Sequence, residues 1–355
     1  MIRAVEHVRG MGAYALADLG GPEIVSLAQN ESAFPASPAA VAAGQAVLAD
    51  LTLYPDPEWP DMRAAIAKVH TLDPARVLCG AGSMELIGCL IRAFAGSGDH
   101  VLGTQYGYAF VASATAQTQA EYVAAPEIDL TVSVDAILSS VSPKTRIVFV
   151  CNPGNPTGTL IPNSEIIRLR AALPGNVLLV VDQAYAEFAD QANDPVEIFA
   201  LTGRGDTVIT RTFSKAYGLA GARAGWGYFP TEIAGELRKL LNPNNISIAS
   251  QAAAAAAMRD QAHMRDVVKQ TTVLRDGFAR ECRELGLIVP ESHTNFVLIR
   301  FASTAAAKRA DAALRAENLL MRGMGGYSLS DCLRATICAP ATMNKARDVL
   351  IGALT

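Results

Sequence analysis

The sequence predicts an α/β fold: a large domain built on a mostly parallel sheet, followed by a smaller α+β domain. Three features carry that expectation. Val177 to Val181 is an unbroken apolar run, as a strand buried on both faces requires, and it delivers Asp182 at its carboxyl end, the usual ligand edge of an open α/β sheet. Val77-Leu78-Cys79 is a short strand that runs through Gly80-Ala81-Gly82-Ser83 into a helical pattern ending at Phe94. Past Tyr228 the pattern turns helical, then mixes short strands with helices up to Leu354.

Composition narrows the function classes. The chain has 355 residues, half of them hydrophobic, enough for a sizeable core. Net charge is -4 and no basic run stands out, so a nucleic-acid partner is not expected. The six cysteines form no C-x-x-C pair and several sit in apolar runs, which reads as reduced, buried and cytoplasmic. The N-terminal MIRAVEHVRG lacks the apolar core of a signal peptide, and no apolar run is long enough for a membrane span. The five histidines are scattered, so no metal site is expected.

Taken in order, residues 1–29 read as an arm and entry segment, with Gly10, Gly12, Gly20, Gly21 and Pro22 breaking any long helix. Ile24 to Leu27 is a short strand leading to Asn30. Pro38 to Leu51 is helical, Tyr54-Pro55-Asp56-Pro57 is a turn, and Trp59 to His70 is an amphipathic helix. The strand, glycine turn and helix start at 77–83 offer main-chain N–H groups to an anion. A dinucleotide site is disfavoured, because Glu85 stands where G-x-G-x-x-G needs its third glycine. His100 to Gln105 is a strand that ends at Tyr106-Gly107-Tyr108. Arg146 to Cys151 is another, ending in Asn152-Pro153-Gly154-Asn155-Pro156-Thr157-Gly158. Read alone, Asp182 after its strand is a helix cap.

Thr207 to Thr210 reads as a buried strand that leads to Ser214-Lys215 among small residues and Arg223. Burial and a nearby cation at Arg223 would both lower the lysine's pKa. A neutral amine attacks an aldehyde. Thr212, Ser214 and Arg223 supply hydroxyls and a cation for a phosphate beside it. An aldehyde together with a phosphate suggests pyridoxal phosphate. Glu232 to Leu241 and Ile248 to Gly286 are helical, Phe296 to Phe301 is a strand, and Thr304 to Ala316 is a helix. Leu319 to Met321 and Leu333 to Ile337 are strands, and Met343 to Leu354 is the last helix.

The stretch TRTFSKAYGLAGARAGWGY resembles the lysine signature of the fold-type I pyridoxal-phosphate-dependent aminotransferases. It is most similar to that of the histidinol-phosphate aminotransferases, R-T-x-S-K-x-x-x-L-A-G-x-R-x-G, met here by Arg211, Thr212, Ser214, Lys215, Leu219, Ala220, Gly221, Arg223 and Gly225. N-P-G-N-P-T-G at 152–158, D-Q-A-Y at 182–185, G-A-G-S-M-E at 80–85 and C-L-R at 332–334 resemble further motifs of the family, in the same order. The resemblance implies a large domain over 30–250 with a mostly parallel seven-stranded sheet, an arm over 1–29 that joins the small domain, and a small α+β domain over 251–355.

It also implies roles. Lys215 holds the cofactor and moves the proton; Asp182 faces the pyridine nitrogen; Asn155 and Tyr185 meet the phenolic oxygen. Ser83, Met84, Thr212, Ser214 and Arg223 surround the phosphate, and Tyr106 stacks on the ring, with Tyr108 as the alternative. Tyr54 reaches the phosphate of the neighbouring subunit, which implies a homodimer with shared sites. Arg334, Arg322 and Asn30 contact the substrate. The implied reaction is transamination between L-histidinol phosphate, as amino donor, and the 2-oxoglutarate/glutamate pair. An aromatic amino acid donor, a decarboxylase of threonine-phosphate type and a non-catalytic binding protein are the alternatives. Gln29, Ser32, Met84, Gln105 and Gln183 depart from the family pattern and bear on substrate more than on reaction.

Overall fold

Among the described residues, thirteen strands form three sheets. In chain order they are β1 (Val25–Leu27), β2 (Val77–Gly80), β3 (His100–Thr104), β4 (Glu121–Ala125), β5 (Glu127–Ile128), β6 (Thr131–Val132) and β7 (Thr145–Cys151). They continue with β8 (Leu178–Asp182), β9 (Thr207–Thr212), β10 (Gly225–Tyr228), β11 (Phe296–Arg300), β12 (Leu319–Gly323) and β13 (Cys332–Thr336). The computed structural model describes residues 2–12, 21, 23–189 and 193–354. The breaks expected at Gly20 and Pro22 lie outside them.

The large sheet has seven strands in the order β2-β10-β9-β8-β7-β3-β4. Every neighbouring pair is parallel except those made by β10, which runs antiparallel to both β2 and β9. Every residue of β8 and β9 is buried. Successive side chains point to opposite faces of a strand, so both faces of the sheet centre are covered, which is why these strands read as unbroken runs rather than alternations. The helix Ser83–Phe94 packs on this sheet against β2, β7, β9 and β10.

The small domain carries a four-stranded sheet in the order β1-β12-β13-β11. Its own core gathers Leu27, Phe278, Val297, Ile299, Leu314, Met321, Leu333 and Leu350. Strand β1 pairs in parallel with β12, so the chain that follows it enters the space between the two sheets at Ala28 to Glu31. Among the described residues no helix is long and apolar enough to cross a membrane.

Strands β4 to β6 were not expected, the helix expected over Pro38 to Leu51 ends at Ala46, and two further differences have a clear local cause. The helical pattern at 248–286 divides into Ile248–Arg259 and Gln261–Glu284. Asp260 breaks it: its backbone leaves the helical region, and its side chain caps the second helix by accepting from the His263 N–H. Strand β10 was not legible, because glycine at two of its four positions hides the apolar pattern. Gly225 is required there. A Cβ at this position would lie 2.3 Å from the Ser83 nitrogen and 2.5 Å from the Gly82 carbonyl carbon, so only glycine lets the strand pass the turn.

Candidate active site

The carboxyl ends of β7, β8 and β9, the start of the helix Ser83–Phe94 and the facing small domain enclose a cavity of about 450 Å³. Of the expected residues, Asn30, Ser83, Met84, Asn155, Asp182, Tyr185, Thr212, Ser214, Lys215, Arg223, Arg322 and Arg334 line it.

Lys215 follows the end of β9 and is only partly exposed. Its Nζ donates to the main-chain oxygens of Asn30 at 2.8 Å and Gln29 at 3.3 Å. Its pKa is lowered to about 7, chiefly by burial and next by the Arg334 guanidinium, with Glu31 opposing both. Arg223, the cation expected to act on this amine, contributes less than Arg334. Arg334 arrives from the other sheet, a proximity that no local motif encodes.

Asp182 ends β8 and is 3% exposed. Its Oδ1 accepts from the Thr210 hydroxyl at 2.7 Å, and the Cys151 thiol is 3.8 Å from Oδ2. Burial raises its pKa to about 6 against those donors and Lys215. Tyr185 is buried, and its hydroxyl accepts from Asn30 Nδ2 at 2.8 Å. Its ring packs edge-on against Phe296. Burial also raises the pKa of this phenol. Arg334 is buried; it donates to Asn155 Oδ1 at 2.6 Å and to the Ala28 carbonyl at 2.8 Å. Arg322 is its register partner on the adjacent strand.

At the other end of the cavity, the helix Ser83–Phe94 begins beside a cluster of donors. Thr212 Oγ1 lies 3.0 Å from Ser214 Oγ and accepts from the Ser214 N–H at 3.1 Å. Arg223 Nη1 lies 3.4 Å from Ser214 Oγ and donates to the Ala220 carbonyl. Gly82 has φ +76°, and a Cβ there would lie 2.6 Å from Arg223 Nη2, so glycine keeps the guanidinium close to the turn. Glu85 accepts from the Ala81 N–H at 2.7 Å and from Asn245 Nδ2 at 2.6 Å. The acid that spoils a dinucleotide motif thus ties down the turn.

Tyr106 does not line the cavity; the alternative, Tyr108, does. The chain turns sharply after β3, with the Gly107 N–H bonded to the Thr104 carbonyl. That turn sends Tyr106 against the cluster of Leu130, Leu298, Met324, Leu329 and Cys332, and leaves Tyr108 at the start of the next helix. Tyr54 is 88% exposed and lies outside the cavity of its own chain. Of the departures from the family pattern, Gln29 and Met84 line the cavity, whereas Ser32, Gln105 and Gln183 do not. Gln183 Oε1 instead accepts two bonds from the buried Arg211, both at 3.2 Å. Cys151 and Tyr327 also line the cavity and carried no signal in the sequence.

The donor set has a definite chemistry. An amine with a pKa near neutrality, a buried carboxylate facing the same space, and a helix start with two hydroxyls and a guanidinium fit one group in particular. That group carries an aldehyde, a ring nitrogen that takes a proton, and a phosphate, as pyridoxal phosphate does.

Comparison with known proteins agrees. The family model for aminotransferase class I and II matches residues 22–350. The histidinol-phosphate aminotransferase of Rhodospirillum centenum is 45% identical over 336 residues, covering 93% of this chain and 92% of that protein. That of Paramagnetospirillum magneticum is 43% identical over 321 residues, covering 90% and 88%. The crystal structure of histidinol-phosphate aminotransferase from Sinorhizobium meliloti in complex with pyridoxal-5'-phosphate superposes with a TM-score of 0.92. It is 28% identical and covers 100% of this chain and 98% of that one.

Proposed function

The chain belongs to the class I and II aminotransferases, and from that premise we propose that it transfers an amino group between L-histidinol phosphate and the 2-oxoglutarate/glutamate pair. It is a pyridoxal-phosphate-dependent transaminase, working on an amino donor and a 2-oxo acid. The observation that carries the donor assignment is the pair of arginines, Arg322 and Arg334, side by side on β12 and β13 and lining one cavity with Lys215. A guanidinium fork takes a phosphate monoester or a carboxylate with the same geometry, so one site can serve both half-reactions. The names of the relatives at 45% and 43% identity support the same donor.

When bound, the cofactor supplies an aldehyde that receives the amino group and a ring that withdraws electrons. Lys215 would hold it. Asp182, kept from water, would face the ring nitrogen, and Asn155 and Tyr185 would hold the phenolic oxygen. Tyr108 would take the stacking position expected of Tyr106. The amides at Ser83 and Met84, with Thr212, Ser214 and Arg223, would hold the phosphate. Lys215 Nζ, freed when the donor binds, takes the proton from the donor's Cα as general base and then gives that proton back as general acid. Arg334 releases Asn155 and the Ala28 carbonyl to clamp the incoming anion, with Arg322 and Asn30 beside it.

The active unit in this reading is a homodimer in which Tyr54 of each subunit reaches the phosphate held by the other. Tyr54 ends a run of exposed apolar side chains, Leu48, Leu51 and Leu53, which supports an interface there. The six free cysteines support a reducing, cytoplasmic setting.

A kinetic panel tests the donor: histidinol phosphate, phenylalanine, tyrosine, glutamate and threonine phosphate, ranked by kcat/KM, which reads transition-state binding. Histidinol phosphate is expected to lead. If phenylalanine leads and histidinol phosphate is inert, the donor assignment fails. Turnover of threonine phosphate without consumption of 2-oxoglutarate would move the protein to the decarboxylases.

A further inference from the structure

Thr210 lies outside the residues that the lysine signature brings to the cofactor. It sits in the middle of the buried strand β9, fully buried, and a hydroxyl in that position is costly unless it is bonded. It is the register partner of Asp182 across the parallel β8–β9 pair, and its hydroxyl donates to Asp182 Oδ1 at 2.7 Å. On the other side, Cys151 is the register partner of Asp182 across β7–β8, but its thiol is 3.8 Å from Oδ2. The two flanking strands therefore treat the carboxylate unequally: one oxygen is held by a short hydroxyl bond, and the other has only a long thiol contact. Side chains two apart on a strand share a face. Thr210 and Thr212 thus stand on one face of β9, the first at the carboxylate and the second at the phosphate end of the cavity. Arg211 between them faces away and holds Gln183, the neighbour of Asp182.

We infer that Thr210 is a positioning residue: its hydroxyl fixes one oxygen of Asp182 and so presents the carboxylate, charged and in a single orientation, to the ring nitrogen of the cofactor. The electrostatics run the same way. Burial pushes the Asp182 carboxyl toward its neutral form, and the Thr210 hydroxyl is the largest influence holding it ionised, ahead of the Cys151 thiol and the Lys215 amine. The other groups facing it, the Cys151 thiol and the Tyr185 phenol, keep their protons at neutral pH, since burial raises both.

The inference rests on Asp182 being the ring partner, and the test separates the two. In apoprotein labelled with ¹³C at aspartate carboxyls, Asp182 is expected to titrate near pH 6. Thr210→Val should move that titration up by about one pH unit or more, and Thr210→Ser should leave it in place. With cofactor, Thr210→Val should weaken pyridoxal phosphate binding about ten- to a hundredfold, the range for a lost hydrogen bond to a charged group. Thr210→Ser should stay close to the parent, because it keeps the oxygen and drops only a methyl. In an Asp182→Asn background, Thr210→Val should add little, since its effect passes through the carboxylate. If Thr210→Val does not fold, Thr210→Ala against Thr210→Ser makes the same comparison. Equal titration and equal binding with and without the hydroxyl overturn the inference while the site stands. If Asp182→Asn binds the cofactor as tightly as the parent, the site assignment falls, and this inference with it.

Discussion

The amine of Lys215 should gain its reactivity across neutral pH. With its pKa lowered to about 7, about a tenth of the amine is neutral at pH 6, half at pH 7 and about nine-tenths at pH 8. An ordinary lysine would be neutral in only about three molecules per thousand at pH 8. Stopped-flow addition of pyridoxal phosphate to apoprotein, followed in the visible, should therefore give a rate that rises about tenfold between pH 6 and pH 8 and then levels off. Arg334 is the strongest of the cations acting on this lysine, ahead of Arg223. Arg334→Gln should thus move the midpoint to higher pH, and Arg223→Gln should move it by less. Lys215→Ala should abolish the visible band. A rate that keeps climbing tenfold per pH unit through pH 9 would refute the reasoning, because it would place the amine in an ordinary environment. A larger shift from Arg223→Gln than from Arg334→Gln would show that the nearer motif residue, and not the facing domain, sets the pKa.

Three further outcomes follow from the geometry. Asp182 has its folded-state pKa raised to about 6 from the ordinary 3.8, so the folded apoprotein binds more protons than the unfolded chain between those values. This group's contribution is therefore present at low pH and lost as pH rises through 6, so apo Asp182→Asn should melt higher than the parent at pH 8 and equally at pH 3.5, while losing cofactor affinity. Gly225→Ala forces a Cβ to 2.3 Å from the Ser83 nitrogen, against backbone that cannot swing aside; calorimetry should show a loss of about 1–3 kcal/mol, with weakened phosphate binding. Mixed dimers of inactive Lys215→Ala and Tyr54→Phe subunits should regain one working site per hybrid, and a protein that sediments as a monomer at assay concentration would rule that out.

The fold class and most of the residues that gather around the candidate cavity were legible because both are written locally. Val177 to Val181 can be unbroken and apolar only if both faces of the strand are covered, and such a strand in an α/β sheet puts Asp182 at the ligand edge. Lys215, Thr212, Ser214 and Arg223 lie within a dozen residues of one another, so a single turn after β9 brings them together. What sequence could not decide were the choices made by packing between distant segments. Tyr106 and Tyr108 are equivalent in composition, and the direction of the turn after β3 alone sends one to an apolar cluster and the other to the cavity. Gln183 stands beside Asp182 in the chain but turns to Arg211, because neighbouring side chains on a strand face opposite ways. Arg334 reaches Asn155 and outweighs Arg223 at the Lys215 amine because the small domain's sheet faces the carboxyl edge of the large one. Thr210 looked like a strand former in a β-branched run, and it is the parallel register of β8 and β9 that places its hydroxyl on Asp182. Chemistry carried by a contiguous stretch survives in the one-dimensional text; chemistry assembled across strands depends on register and domain packing, which only the folded chain specifies.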